Sequence, residues 1–437
     1  YFVWTALRAD FVTSSFNPRI NIDMGGLRGN IYDANGVVLA TDVDGTRHYP
    51  LGVAFAHVVG YSHMSRGGLE LVHNFTLTRL HRELTQRTRY AVFDEAPQGN
   101  SIQTTIDSDL QVLIHNALGS QRGSVVALDP STGAILAMVS TPSFNPNQVA
   151  ENWGSLIEDP SSPLLNRATQ GLYPPGSTFK LITTLAALEY NPELAYFTYT
   201  CTGVHHFGDE TIQCFNATAH GYIGLERAMA VSCNGFFAEL ATIINSTYIT
   251  QAAERSALFN QPIPFYLPSS TSRFPMEADA DAEELIQTAI GQGRIAATPL
   301  SMALLAATIA NNGVMMQPYI VSHAISGHNG NTLSTTTPRT ISRNAIPTHH
   351  ADTLANTMVA AVNNGTASPA SLPNIQTAGK TGTAEVEAGP SHSWFIGFAP
   401  ADNPTIAVAI IIENTGGGPA ATNLARQIFT HATQGGN

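Results

Sequence analysis

A serine and a lysine stand three residues apart where a helix is predicted to begin. A Pro-Pro-Gly run ends one element, Ser177 opens the next, and residues 178–189 are good helix formers with an apolar face. Positions three apart share one face of a helix, so Lys180 can reach the Ser177 hydroxyl. Because a lysine made partly neutral by burial or by a second cation can take the serine's proton, the pattern predicts a serine nucleophile. Alone, the same spacing is also typical of a capped helix with a surface lysine.

A second motif, Ser232-Cys233-Asn234, supplies another hydroxyl and an amide. Ser232 can relay a proton between Lys180 and a leaving amine, and Asn234 can hold a substrate amide. By itself the motif is also typical of a loop or a helix cap.

A third motif, Lys380-Thr381-Gly382-Thr383, lies on a predicted strand. Gly382 leaves room for another backbone to approach, and a strand at a sheet edge is a template for an extended peptide. Lys380 and the two threonine hydroxyls can receive a substrate carboxylate. The backbone N–H groups of Ser177 and Thr383 are predicted to form an oxyanion hole, beside the partial positive charge of the helix N-terminus.

Length, composition and charge limit the domain number and the partners of the protein that carries these motifs. The 437 residues are 43% hydrophobic and 12% charged, which is enough for a sizeable core and two or three domains. A net charge of −12 argues against a nucleic-acid partner. Asn35-Gly36 between two apolar runs favours a hairpin with a type I′ turn.

The order of apolar patterns predicts the fold class. Strands before and after a block of helices indicate an α+β layer fold, with one antiparallel sheet built from both chain ends. Two strands are predicted around a Pro/Gly turn within residues 123–139. The other predicted elements are helices near Leu69–Leu84, Leu225–Ile244, Pro299–Asn311, Ala351–Val362 and Ala420–Thr433, and strands at Ile375–Val386, Trp394–Ala399 and Thr405–Glu413.

The three motifs, in this order, form the signature set of penicillin-binding proteins and class A β-lactamases. The stretch Tyr173–Lys180 resembles the extended nucleophile motif of penicillin-binding transpeptidases, and the resemblance covers roughly residues 100–433. The further matching segments are Val125–Pro130, Asn166–Ala168, Gly291–Gly293, Ala297–Leu300, and Trp394-Phe395 with Phe398-Ala399-Pro400.

The N-terminal part refines the resemblance. Arg28–Asp33, followed by Gly36, resembles the first motif of the non-catalytic domain of class B penicillin-binding proteins, and Gly68-Leu69-Glu70 resembles a later one. The basic residue usual after the aspartate is Ala34 here. The brevity of this region resembles the actinobacterial group typified by penicillin-binding protein A. We therefore expect a short pedestal or interaction domain at 1–98 and a transpeptidase domain at 99–437.

The resemblance implies a fold and a reaction. The expected fold is a penicilloyl-serine transferase domain, with an antiparallel five-stranded sheet flanked by helices and an all-helical subdomain, beside a small β-rich N-terminal domain. The expected reaction is D,D-transpeptidation: Ser177 attacks a stem peptide ending in D-Ala-D-Ala, an amine from a second stem peptide completes the cross-link, and β-lactams acylate the same serine. No metal or cofactor is required.

Three alternatives remain open on the sequence. A D,D-carboxypeptidase would hydrolyse the acyl-enzyme, and a β-lactamase would need a base such as the glutamate of a Glu-x-x-Leu-Asn motif, which does not occur between Asn234 and Lys380. From another class, the chain could be a catalytically silent β-lactam sensor or a division scaffold. By resemblance we expect a single anchor upstream of Tyr1, a catalytic domain outside the cell membrane, and division or elongation proteins as partners of the N-terminal domain.

Three cysteines and several histidines cluster between the first two motifs. A disulfide between Cys201 and Cys214 is the leading expectation, with Cys233 left as a free thiol. A zinc site is the alternative. It would draw on some of Cys201, His205, His206, Asp209, Cys214 and His220.

Overall fold

In the computed structural model, the described residues are 27–63, 65–78, 98–208, 210–276, 281–386 and 389–434. The chain divides into two compact units. The first unit takes residues 1–112, 142–165 and 319–337, and the second takes 113–141, 166–318 and 338–437. The expected division at residue 98 stays a prediction. Our expectations for the helix beyond residue 78 and for Asp209 lie outside the described residues.

The first unit is built on a six-stranded sheet. Its strands, in spatial order, are Thr332–Thr335, Val321–Ile325, Ser101–Thr104, Ile31–Tyr32, Val38–Val43 and Thr46–His48. Its described helices are Ala56–Val59, Gly68–Val72, Asn74–Thr78 and Val149–Glu158, with 3₁₀ turns at Gly52–Phe55 and Pro146–Gln148, and Ser108–Leu118 begins in it. The sheet therefore combines strands that are far apart in the chain.

The predicted hairpin at Asn35-Gly36 is present, but its turn differs from the expected one. Ile31 pairs antiparallel with Ala40. Gly36 has a φ of 88°, whereas Asn35 does not adopt a positive φ, so the two-residue type I′ turn was wrong. Instead the Asp33 carboxylate accepts the N–H groups of Asn35 and Val37, at 2.8 and 2.7 Å, and closes a longer loop.

A buried ion network lies in the first unit. The Glu70 carboxylate is 0% exposed and accepts Arg28 and Arg47, each at 2.6 Å. Burial acts to raise the pKa of Glu70, but the two guanidinium groups outweigh it and the net pKa is lowered. The two motifs that resembled a non-catalytic domain are thus joined through Arg28 and Glu70.

The second unit contains the expected five-stranded antiparallel sheet. Its strand order is Ala378–Ala384, His392–Ala399, Ile406–Ile412, Gly123–Leu128 and Ile135–Thr141, so both chain ends contribute. Every residue of Ile406–Ile412 is buried, because the strand lies inside the sheet and Pro299–Ala310 and Ala420–Gln434 pack against it. The strand Ala378–Ala384 lies at the edge of the sheet; we call it the edge strand.

Helices and small sheets fill the rest of the second unit. Its other helices are Arg167–Gln170, Lys180–Tyr190, Leu225–Ala230, Asn234–Ile243, Ser246–Ala257, Ala282–Ala289 and Thr348–Asn364, with 3₁₀ turns at Gly176–Phe179, Pro192–Tyr196, Phe215–Ala217 and Ser368–Ala370. Three two-stranded sheets accompany the helices: Thr198–Cys201 with Gly221–Gly224, Val204–Phe207 with Glu210–Gln213, and Met315–Met316 with Thr340–Ser342. The helical part is therefore not all-helical. Within the described ranges, no helix has the length and apolarity to cross a membrane.

The helix predicted over residues 225–244 is broken in two. Leu225–Ala230 ends before Ser232, which has a left-handed φ of 56°, and Asn234–Ile243 begins two residues later. A non-glycine residue in this region is strained and persists where its surroundings hold it. The break creates the turn 232–234, which carries the second motif.

Candidate active site

The Ser177 turn is held against the edge strand by close backbone contacts. Ser177 lies in the 3₁₀ turn Gly176–Phe179, directly before the helix Lys180–Tyr190. Gly176 has a φ of 54°, and a Cβ there would lie 2.5 Å from the Thr383 carbonyl oxygen. Its N–H donates to the Gly291 carbonyl at 2.9 Å. The position therefore requires glycine for both its conformation and its space.

The same contact is reinforced from the strand side. A Cβ at Gly382 would lie 2.9 Å from the Pro175 carbonyl oxygen and 3.0 Å from Thr178 Cγ2. The Trp394 indole N–H donates to the Pro174 carbonyl at 2.9 Å. The predicted role of Gly382, to admit another backbone, is thus met by the turn that carries Ser177.

Lys180 is fully buried and faces the turn 232–234. Its Nζ donates to the Ser232 carbonyl at 2.8 Å, to the Ser232 hydroxyl at 3.3 Å and to Asn234 Oδ1 at 2.6 Å. Burial lowers its pKa to about 8, against a partial opposing effect of the thiols of Cys233 and Cys214. These three bonds use all three donors of an ammonium group.

The half-buried Ser177 hydroxyl makes no hydrogen bond to any described residue, so the expected direct bond from Lys180 does not form here. The ammonium of Lys180 instead donates to Ser232 and Asn234. Deprotonation of that lysine removes one donor and leaves a lone pair, which is what a base requires.

Lys380 approaches the Ser232 hydroxyl from the edge strand. Its Nζ donates to Ser232 Oγ and to the Thr381 carbonyl, both at 2.9 Å. Burial and then the ammonium of Lys180 lower its pKa well below the ordinary value. Since both lysine nitrogens bond one oxygen, they lie within about 6 Å of each other. The Ser232 hydroxyl therefore connects two buried amines.

The remaining predicted residues surround this pair. Asn234 also donates its Nδ2 to the Gln213 carbonyl at 2.6 Å. Along the edge strand, Thr381 is half-buried and shares a 2.6 Å hydrogen bond with Thr366, and Thr383 is exposed. In the described part of the chain, the edge strand pairs with one strand only, and on its other side the Thr383 carbonyl accepts the side-chain amide of Gln292 at 3.4 Å. An unpaired strand edge is a template on which an extended ligand can add.

One supporting carboxylate was missed by sequence reasoning. Glu413 Oε1 accepts Arg167 Nε and the Tyr173 hydroxyl, each at 2.8 Å, and Oε2 accepts Arg122 at 2.8 Å. Burial opposes ionisation, but the bonds from Arg167 and Tyr173 outweigh it and lower the pKa of Glu413. Glu413 thus fixes Tyr173 at the start of the nucleophile motif. Arg167 belongs to Asn166–Ala168, one of the segments that resemble the family. No sequence motif around Glu413, at the end of the sheet, indicated a functional role.

The expected disulfide is absent. Cys201, Cys214 and Cys233 are all free thiols, and the Cys201 and Cys214 sulfurs lie 3.7 Å apart. A disulfide needs about 2.05 Å between sulfurs, so the leading expectation was wrong.

The site combines the turn that carries Ser177, two buried lysines that bond the Ser232 hydroxyl, and a strand at the edge of the sheet. This combination defines a class of serine acyl-transferases. Residues 123–430 match the family model described as the penicillin-binding protein transpeptidase domain. The chain belongs to this family, which confirms the resemblance found in its sequence and the α+β fold class with its five-stranded antiparallel sheet.

Individual relatives agree in sequence and in structure. The chain is 37% identical over 475 residues to the peptidoglycan D,D-transpeptidase PbpA of Mycolicibacterium smegmatis, covering 100% of this chain and 94% of that protein. It is 31% identical over 458 residues to the peptidoglycan D,D-transpeptidase MrdA of Acinetobacter baumannii, covering 92% of this chain and 67% of that protein. The structure of penicillin-binding protein A from M. tuberculosis as an imipenem acyl-enzyme complex matches with a TM-score of 0.85 and 33% identity, over 94% of this chain and 100% of that one.

Proposed function

We propose that this chain is a peptidoglycan D,D-transpeptidase that cross-links stem peptides through an acyl-enzyme on Ser177. The observation that supports it most is the convergence of two buried lysines on the Ser232 hydroxyl, beside the strand that contacts the Ser177 turn. Buried amines with lowered pKa values are suited to proton transfer near neutral pH.

Acylation begins with Lys180 in its neutral form. The amine takes the proton of the Ser177 hydroxyl, and the oxygen attacks the carbonyl carbon of the penultimate D-Ala. The tetrahedral oxyanion accepts hydrogen bonds from the backbone N–H groups of Ser177 and Thr383. A donor peptide extended along the edge strand brings its carbonyl to this position.

The leaving group then departs with a proton. Ser232 passes a proton, drawn through its hydrogen bonds with Lys180 and Lys380, to the amine of the terminal D-Ala as the C–N bond breaks. An amine of a second stem peptide attacks the ester, forms the new amide and returns the proton to Ser177.

Carboxylate binding falls to the third motif. Lys380, with the hydroxyls of Thr381 and Thr383, receives the terminal carboxylate of the donor or that of a β-lactam. The nearby anion favours the charged form of Lys380 and so offsets the effect of burial on its pKa. Asn234 orients the donor amide.

We assign the non-catalytic pedestal to residues 1–98 and a membrane anchor to a segment upstream of Tyr1, with the catalytic domain outside the cell. Division or elongation proteins are the proposed partners of the pedestal, and its own buried ion network of Arg28, Arg47 and Glu70 supports it as a distinct structural element.

A product assay tests the function. The protein is incubated with a stem pentapeptide ending in D-Ala-D-Ala and a second stem peptide carrying a free amine, and the products are measured by mass spectrometry. We expect a cross-linked dimer with release of D-Ala, and no product from Ser177→Ala. Tetrapeptide without dimer would favour the carboxypeptidase. In a parallel incubation with penicillin, its hydrolysis together with the absence of dimer would favour the β-lactamase. A failure to consume either compound would favour the silent sensor or scaffold.

A further inference from the structure

The segment Gly291–Gly293 resembles a family motif in sequence, and the proposed reaction gives it no role. The helix before it, Ala282–Ala289, ends in a Schellman motif. The N–H groups of Gly291 and Gln292 donate to carbonyls in the last turn of that helix, at 2.8 and 2.9 Å. Gly291 has a φ of 87°, which this motif requires of the residue after the helix cap. The end of the helix therefore determines the course of the chain at Gln292.

Gly291 packs against the turn that carries Ser177. Its carbonyl accepts the N–H of Gly176 at 2.9 Å. A Cβ at Gly291 would lie 1.8 Å from the Gly176 carbonyl oxygen, so a side chain has no room there. Further along the chain, Tyr173 and Ala297 exchange two backbone hydrogen bonds, at 3.0 and 2.8 Å. The segment after the helix is therefore bonded to the stretch that leads into the nucleophile.

The side chain of Gln292 reaches the edge strand. It is half-buried, and its Nε2 donates to the Thr383 carbonyl at 3.4 Å. The same carbonyl oxygen lies 2.5 Å from the position that a Cβ on Gly176 would occupy. Thr383 is also the residue whose N–H is assigned to the oxyanion hole. Gln292 thus bonds the carbonyl of a residue whose N–H must face the oxyanion.

The backbone at Thr383 has few restraints of its own. Gly382, directly before it, has no Cβ and leaves the backbone conformationally permissive. Among the described residues, the edge strand pairs with one neighbouring strand, so it has fewer ladder hydrogen bonds than a central strand. An oxyanion hole is effective when its donors already lie about 2.7–3.1 Å from the position of the oxyanion. Contacts that fix Thr383 relative to Ser177 therefore bear on the rate of acylation.

We propose that Gly291 and Gln292 set the spacing between the two donors of the oxyanion hole, with Gln292 as a positioning residue. Gly291 bonds the Ser177 turn and Gln292 bonds the Thr383 backbone, so one short segment is joined to both sides of the hole. The Gln292 amide stays on the Thr383 carbonyl when substrate is bound, because a carbonyl oxygen has a second lone pair for an N–H of the donor peptide. The inference rests on the proposed function, which assigns the oxyanion hole.

The experiment separates binding from chemistry in the acylation of the full chain by penicillin. Rates over a range of penicillin concentrations give the dissociation constant of the initial complex and the rate constant at saturation. Gln292→Met keeps the length of the side chain but removes the N–H donor, and Gln292→Glu places a second acceptor against the Thr383 carbonyl. We expect the saturating rate constant to fall about three- to tenfold in Gln292→Met and further in Gln292→Glu, while the dissociation constant changes less than about twofold.

Gln251→Met is the matched control, because Gln251 is exposed on the helix Ser246–Ala257. It should react at the wild-type rate. A second measurement uses a peptide boronic acid: the Ser177 oxygen bonds to boron, the serine proton is released, and a tetrahedral anion occupies the oxyanion hole. The affinity of Gln292→Met for this compound should fall by about the same factor as its saturating rate constant, since both depend on the same two donors. A loss of fold stability alone would not produce this agreement.

Two results would overturn the inference. One is a saturating rate constant within about twofold of wild type in both Gln292 variants. The other is faster acylation of Gln292→Met, which would mean that this side chain competes with substrate for the Thr383 carbonyl. If both variants misfold, a crystal structure of the wild-type boronate adduct decides: the inference requires the Gln292 amide within about 3.5 Å of the Thr383 carbonyl, and a displaced amide overturns it. A wild-type chain that never reacts with penicillin counts against the proposed function instead, so the two failures are distinguishable.

Discussion

The buried amine of Lys180 predicts a steep pH dependence of acylation. Burial lowers the pKa of Lys180 from 10.5 to about 8. A general base must be neutral, and at pH 7 about a tenth of such a lysine is neutral, roughly 300 times more than for a lysine with an unshifted pKa. We therefore expect the acylation rate to fall about tenfold for each pH unit below 8 and to level off above it.

The assay is the second-order rate constant for a fluorescent penicillin, measured at short times between about pH 6 and pH 9.5. Lys180→Ala is the control: we expect its acylation to be about 100 to 10,000 times slower and to lose this pH dependence. A wild-type rate that is flat across the range, or one that still rises about tenfold per pH unit at pH 9.5, would refute the reasoning.

The same shift has a consequence for folding. A base whose pKa is lowered in the folded state binds fewer protons there than when unfolded, so stability rises as pH increases between about 8 and 10.5. A shift of this size corresponds to about 3 kcal/mol. Urea unfolding of the wild-type chain and of Lys180→Ala across this window measures the difference.

Two further substitutions test the support around the site. Gly382→Ala places a methyl group 2.9 Å from the Pro175 carbonyl oxygen and 3.0 Å from Trp394 Cβ, so the Ser177 turn must shift. We expect acylation at least about tenfold slower with the fold retained by circular dichroism, and a wild-type rate would mean that this contact does not position the nucleophile. Glu413→Gln leaves the buried Arg167 without its counter-charge, and we expect about 3 kcal/mol less stability in urea at pH 7, against almost no change for the exposed control Glu226→Gln. Because the folded-state pKa of Glu413 is lowered, its contribution is present above its unfolded pKa of about 4.5 and is lost as pH falls through the folded value; a constant difference down to pH 3 would contradict this.

Much of the site could be predicted because its parts are local in sequence. Each motif spans a few residues, and apolar alternation placed the third motif on the strand now seen at Ala378–Ala384. The strand at Ile406–Ile412 and the helix at Ala420–Gln434 differ from their predicted bounds by one residue at most. Apolar side chains recur every second residue in a strand and about every 3.6 residues in a helix when one face is buried. The bounds of these elements can therefore be predicted from the sequence.

Other features depend on contacts between distant parts of the chain. The stretch 225–244 has helix-forming composition throughout, and the break at Ser232 coincides with bonds to Lys180 and Lys380, which lie 52 and 148 residues away in sequence. Glu413 lies 246 residues from Arg167, so no local pattern joins them. The cysteine spacing was compatible with both a disulfide and a metal site, and the 3.7 Å between the folded Cys201 and Cys214 sulfurs is what excludes the disulfide.

The most direct test of the account is the identity of the residue that penicillin modifies. Intact mass measurement after reaction with penicillin G, followed by tryptic mapping, should find one added penicillin, located on the peptide of residues 168–180 at Ser177. Ser177→Ala should remain unmodified under the same conditions. An adduct on Ser232 or elsewhere, or an equal mass increase in Ser177→Ala, would contradict the claim that Ser177 is the nucleophile.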